Sequence, residues 1–125
     1  MGRIVRKITL GKKKVLALFD TGAERSYITR GVLPAGAKCS RIEPVDVAMG
    51  GEVIRFAERC LVNGEIDGLP FDFNPHLGEK PFMIDNKRVD VLIGAAMMEE
   101  WNITIDPKNK SLNLSGLKKR SFVEL

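Results

Sequence analysis

In Ala17-Leu18-Phe19-Asp20-Thr21-Gly22-Ala23 an apolar strand runs straight into an aspartate, followed by a small hydroxyl residue, a glycine and an alanine. Asp and Gly are common turn formers, so turn chemistry alone can account for Asp-Thr-Gly. The four-residue word Asp20-Thr21-Gly22-Ala23 nevertheless arises by chance in only on the order of one in a thousand chains of this length. A carboxylate at the end of a buried strand also sits where burial and neighbouring charges can tune it. Thr21 can bond back to the main chain, and Gly22 lets the backbone approach a ligand or another chain closely.

Outward from this word the chain reads as short strands separated by turns. Arg3–Leu10 and Val15–Phe19 form a hairpin candidate around Gly11-Lys12-Lys13-Lys14. Val45–Ala48 and Val53–Val62 flank Met49-Gly50-Gly51-Glu52, and Asn63-Gly64 supplies a further turn signal. Ile66, Leu69, Phe71 and Phe73 mark an extended stretch closing near Pro75. Phe82–Ile84 and Val89–Ile93 are joined by Asp85-Asn86-Lys87-Arg88. Ala95–Trp101 breaks the rhythm, since it holds good helix formers and no β-branched residue. Ile103-Thr104-Ile105 and Ser111–Leu114 return to strand pattern around Pro107–Lys110, and Ser115–Leu125 reads as a basic tail with an apolar end. Evenly spaced short strands predict an all-β sandwich or barrel rather than alternating βαβ units.

The chain has 125 residues, enough for one domain, with its core at about residues 8–114. Hydrophobic residues make up 44% and charged residues 29%, which excludes a disordered tail protein. No apolar run approaches the ~18 residues of a membrane span. Met1–Leu10 alternates charged and apolar residues, so no signal peptide is expected, and the setting is expected to be cytoplasmic. Accordingly Cys39 and Cys60 are expected as two small, partly buried thiols. The net charge of +4 is concentrated at Lys12-Lys13-Lys14 and Lys118-Lys119-Arg120. Neither cluster has the aromatic neighbours of a nucleic-acid platform, so nucleic acid is not expected as a main partner.

Other catalytic constellations are missing. A lone histidine, His76, excludes a His-x-x-x-His zinc site, and it sits in a loop by composition, structural or solvated. There is no Gly-x-Ser-x-Gly elbow, no Walker loop and no Gly-x-Gly-x-x-Gly. No metal and no cofactor is expected.

A second element follows the first by about seventy residues: Val89-Asp90-Val91-Leu92-Ile93-Gly94 leads into the Ala95–Trp101 helix and then Ile103-Thr104-Ile105-Asp106. Together with Phe19-Asp20-Thr21-Gly22-Ala23, Ser26 and the glycines of Met49-Gly50-Gly51, this order resembles the retroviral-type (retropepsin-like) aspartic proteases. Val91–Met98 and Ile105-Asp106 look closer to the cellular DNA-damage-inducible protease branch than to a viral enzyme. The resemblance implies a closed β-barrel-like half-lobe with one short C-terminal helix, acting as a homodimer. It implies Asp20 as catalytic acid/base, Thr21, Gly22 and Ala23 as its support, and Met49, Gly50 and Gly51 as a flap over a peptide or protein substrate with apolar side chains near the cut. Two departures stand out. Many viral members carry an arginine after the later glycine, where this chain has Ala95, and its acidic partner's place is taken by Glu24-Arg25.

Aspartic proteolysis uses two carboxylates about 3 Å apart that share one proton. This chain holds one Asp-Thr-Gly; Ile66-Asp67-Gly68 lacks the hydroxyl residue and reads as an ordinary turn. The second carboxylate must therefore come from an identical chain, and a twofold axis places Asp20 beside its copy. The terminal strand or the apolar tail Phe122–Leu125 would seal such a pair. The rival reading keeps the fold without the chemistry: a dimeric peptide-binding or assembly module that captures an extended segment by strand addition.

Overall fold

A computed structural model describes residues 2–124. β1 (Arg3–Leu10) and β2 (Lys13–Asp20) form an antiparallel hairpin, registered from Leu10↔Lys13 out to Arg3↔Asp20. Its turn is Gly11-Lys12, shorter than expected, and Gly11 takes φ +64°, a conformation that suits glycine. β3 (Tyr27–Thr29) and a 3-10 turn at Arg30–Val32 precede the longest hairpin, β4 (Lys38–Met49) and β5 (Glu52–Ile66). β6 (Leu69–Phe73) folds back on β5. β7 (His76–Gly78), the hairpin β8 (Phe82–Ile84) and β9 (Lys87–Val89), and β10 (Val91–Ile93) lead to helix α1 (Ala95–Glu100). β11 (Thr104–Asp106) and β12 (Ser111–Asn113) pair before helix α2 (Ser115–Lys119).

The main sheet has eight strands in the order β1-β2-β10-β3-β7-β5-β4, with β6 on β5. Thr9 of β1 also pairs with Glu65 of β5, so the sheet curls round and closes on itself. The expected all-β, barrel-like half-lobe is the fold observed. β10 runs parallel to β2 (Val91↔Ala17, Ile93↔Phe19) and antiparallel to β3, which brings the strand that leads into Gly94 beside the strand that ends on Asp20.

From Ala17 onward both faces of β2 are covered, whereas Leu16 earlier in the apolar run stays exposed. Ala17 and Phe19 point into the main core with Ile28, Val91, Ile93, Met98 and Trp101. Leu18 points the other way, into a second cluster with Tyr27, Phe56, Phe82, Ile84 and Leu92. Strand alternation then puts Asp20 on the Leu18 face, above the second cluster.

Besides the β1–β2 turn, four sequence expectations about the fold need correction here. Asn63-Gly64 is not a turn but lies inside β5; the turn is Asp67-Gly68, both at positive φ. Gly64 is there for space, since a Cβ would stand 2.9 Å from Phe71 and 3.0 Å from Leu10. Val89–Ile93 is split at Asp90, Val89 ending β9 and Val91 starting β10, and the turn from β8 into β9 is only two residues, Asp85-Asn86. The tail is ordered into α2, whose Leu117 is buried in the core; beyond it Arg120 lies 4.8 Å over the Trp101 ring and Phe122 packs 5.9 Å from it. Leu125, the end of the expected Phe122–Leu125 seal, lies outside the described residues.

The fourth concerns the cysteines. Cys39 and Cys60 are directly opposite in the β4–β5 ladder and are joined in a disulfide spanning 21 residues, so they are not free thiols. Far apart in sequence, they are brought together by the hairpin register. A ring of this length is expected to contribute about 3 kcal/mol. Urea midpoints with and without a thiol reductant, with the Cys39→Ser/Cys60→Ser variant as control, measure it; identical midpoints would contradict it.

Candidate active site

Asp20 ends β2 on the floor of a cavity of about 620 Å³ roofed by the β4–β5 hairpin. Its side chain is 8% exposed. One carboxylate oxygen, Oδ1, accepts the Gly22 N–H at 2.8 Å, which fixes the carboxyl plane from its own turn. The other, Oδ2, accepts the Arg3 Nε–H at 3.1 Å. Arg3 is the residue opposite Asp20 in the β1–β2 register, and its Nη1 donates to Asp85 at 2.7 Å. Thr21 turns away from Asp20: its N–H donates to the Gly2 carbonyl at 3.1 Å and its Oγ1 accepts the Gly2 N–H at 2.9 Å. Ala23 N–H closes the turn on the Asp20 carbonyl at 3.2 Å.

The second motif holds this turn from below. The Gly94 N–H donates to the buried Ser26 Oγ at 3.0 Å, Ala95 N–H to the Ala23 carbonyl at 2.6 Å, and Ala96 N–H to the Glu24 carbonyl at 3.1 Å. Gly94 has no room for a side chain, because a Cβ would run into the Arg25 and Ala23 carbonyls. Where many viral proteases have an arginine, Ala95 thus contributes a backbone contact, and the loop is held by main-chain bonds rather than a charged pair.

The expected flap is a two-residue turn closing the Met49↔Glu52 pair, with Gly50 at φ +59° and Gly51 at φ +84°. Two positive φ values in succession are the hairpin geometry that glycine supplies. Met49 and Gly50 line the cavity, and Gly50 rests so closely on the Met83 carbonyl of β8 that a Cβ would collide with it. Asp20, Gly22, Ala23, Met49 and Gly50 therefore share one cavity, whereas Thr21 and Gly51 are outside its lining. Arg3, Asp46 and Asp85 line it too, unmarked in the sequence reading, although the hairpin register carries the signal for Arg3. Among the described residues no three metal-ligating side chains converge.

His76 is not in a loop but in β7, 4% exposed, between Tyr27 and Phe56, with its Nδ1 unpartnered among the described residues. Burial, then the charges of Arg59 and Arg25, push its pKa below the ordinary 6.5, against a backbone bond to Ser26 that raises it. The unfolded chain then takes up a proton first as the pH falls, so stability present above about 6.5 is lost below it. Between pH ~7.5 and ~5.5 this is expected to cost on the order of 1 kcal/mol. His76→Phe, which keeps a ring in the aromatic cluster, is expected to remove that part of the pH dependence in urea titrations at the two pH values.

No family model and no curated protein matches the sequence. Among solved structures, the retroviral protease-like domain of Ddi1 from Leishmania major superposes with a TM-score of 0.62 at 18% identity, over 91% of this chain and 89% of that one. The fold is retropepsin-like. On this retropepsin-like frame the Asp20 turn and the glycine-tipped hairpin, from well-separated parts of the chain, meet at one cavity, and the Gly94 junction holds the Asp20 turn from behind it. Among the described residues no helix is long and apolar enough to cross a membrane.

Proposed function

We propose that this chain is one half of a homodimeric aspartic endopeptidase. The observation that carries the reading is a single buried carboxylate, Asp20, at the strand end beneath a glycine-tipped hairpin, in a chain with no second Asp-Thr-Gly. Two copies meeting on a twofold axis supply the pair of carboxylates that one chain lacks. In that pair one Asp20, as base, takes a proton from a bound water that attacks the peptide carbonyl, while the other donates a proton to the carbonyl oxygen. Neither a nucleophilic side chain nor a cofactor is called for.

Thr21 braces the turn, Gly22 lets substrate backbone come close, and Met49-Gly50-Gly51 closes over the peptide as a lid. The apolar cluster beneath the cavity, with Leu18, Ile84 and Leu92, supports a preference for apolar side chains near the scissile bond. Val91–Met98 and Ile105-Asp106 support a place in the DNA-damage-inducible branch. The cytoplasmic setting expected from the sequence fits this chain only with the Cys39–Cys60 link open, since cytosolic thiols are kept reduced.

One observation favours the rival, a non-catalytic peptide-binding module: both Asp20 oxygens are already satisfied within the chain, by Gly22 and Arg3. Dilution separates the two. Specific activity on a peptide library is expected to rise with protein concentration in step with self-association in sedimentation runs, because two chains build each site. Peptide binding without cleavage at any concentration would establish the module instead.

A further inference from the structure

Arg3 lines the cavity and touches the Asp20 carboxylate, yet the proposed reaction gives it no task. We propose that it is a removable cap, closing Asp20 in the single chain against any second carboxylate that is to share its proton. The inference rests on the reading of Asp20 as half of an acid–base pair. Oδ1 of Asp20 is engaged by Gly22, so Oδ2 is the oxygen left to face a partner, and the Arg3 guanidinium sits on it at 3.1 Å. The register Arg3↔Asp20 makes this encounter a property of the hairpin rather than of a wandering terminus.

The cap has a second resting place. Asp85, in the two-residue turn between β8 and β9, accepts from Nη1 at 2.7 Å while its side chain is 76% exposed. Arg3 itself is 49% exposed, so its contacts are of the partly solvated kind that contributes little and breaks readily. Asp85 can keep the guanidinium when Asp20 gives it up. The same β8–β9 hairpin carries Met83, whose carbonyl meets the flap tip at Gly50. One short hairpin therefore touches both the cap and the lid.

The test reads the carboxylate directly. Carbodiimide-coupled amine labelling, quantified at each carboxylate by mass spectrometry, is run on full chains diluted until sedimentation shows single chains. Arg3→Gln is expected to raise the labelling rate at Asp20 about fivefold, the factor that an ion pair of this exposure supports, with Asp46 and Glu24 unchanged. Asp85→Asn, which keeps a residue type suited to the turn's φ of +52°, is expected to raise it less. An unchanged Asp20 rate in Arg3→Gln overturns the cap. At higher concentration Arg3→Gln is expected to self-associate more tightly than the natural chain, and weaker association would equally overturn it. If labelling rises but no variant ever associates, the cap stands and the homodimeric reading falls.

Discussion

Asp20→Asn is expected to lower peptide hydrolysis by at least about 10³-fold, because the proposed pair needs one Asp20 as proton acceptor and the other as proton donor, and an amide can do neither. The substitution preserves the fold. Asparagine keeps an oxygen for the Gly22 N–H, which now anchors Oδ1 at 2.8 Å, and its size is that of aspartate. Only the contact with Arg3, itself half exposed, is weakened. A thermal midpoint close to that of the natural chain therefore accompanies the loss. Mixing gives a sharper version of the same result. Equal amounts of natural and Asp20→Asn chains, allowed to exchange, should leave about a quarter of the pairs with two natural carboxylates, as random twofold assembly dictates. Activity should fall to that fraction rather than to half. The assay is a peptide library incubated with each protein across pH ~4–7. Equal cleavage by the natural chain and the variant would remove the proposed chemistry altogether.

What the sequence made legible follows from where the information lies. Local words were readable because their physics is local: an apolar strand ending on Asp20, two glycines at a hairpin tip, and helix formers at Ala95–Trp101. The hairpin Arg3–Leu10 with Val15–Phe19 was legible for the same reason. Register was not. Moving the turn to Gly11-Lys12 brings Arg3 opposite Asp20, and pairing β4 with β5 brings Cys39 opposite Cys60. Both facts depend on counting across a ladder rather than on any single residue. Asn63-Gly64 misled because a glycine inside a strand and a glycine in a turn look alike in sequence, while here it is the bulk of Phe71 and Leu10 that demands it. His76 misled through its company, since Asn74-Pro75 reads as loop yet the next residue enters β7 in register with Tyr27. Burial against an aromatic cluster assembled from β3, β5 and β8 has no local signature.

Gly94→Ala is expected to be among the most damaging single methyl groups in the chain. The glycine lies at φ −96°, an ordinary backbone conformation, so its role is one of space rather than of torsional freedom. A Cβ there would stand 2.7 Å from the Ala23 carbonyl oxygen and closer still to that of Arg25. Both are backbone atoms of the turn that carries Asp20, and backbone cannot swing aside as a side-chain end can. To make room, β10 and α1 must draw away from the turn. That movement sacrifices the bonds from Gly94 to Ser26, from Ala95 to Ala23 and from Ala96 to Glu24. Destabilisation of about 4 kcal/mol or more is expected, in the range that marks a specific structural break. Gly36→Ala is the control, since nothing lies within 4 Å of its Cβ position, and it should stay within about 0.5 kcal/mol. Urea unfolding of both variants measures the contrast. Any Gly94→Ala chain that folds in the cold should also cleave peptides at least about 100-fold more slowly, because the turn that aims Asp20 rests on the displaced junction. Natural stability in that variant would mean that the two motifs are not locked together, and Asp20 would lose the rigid support its chemistry requires.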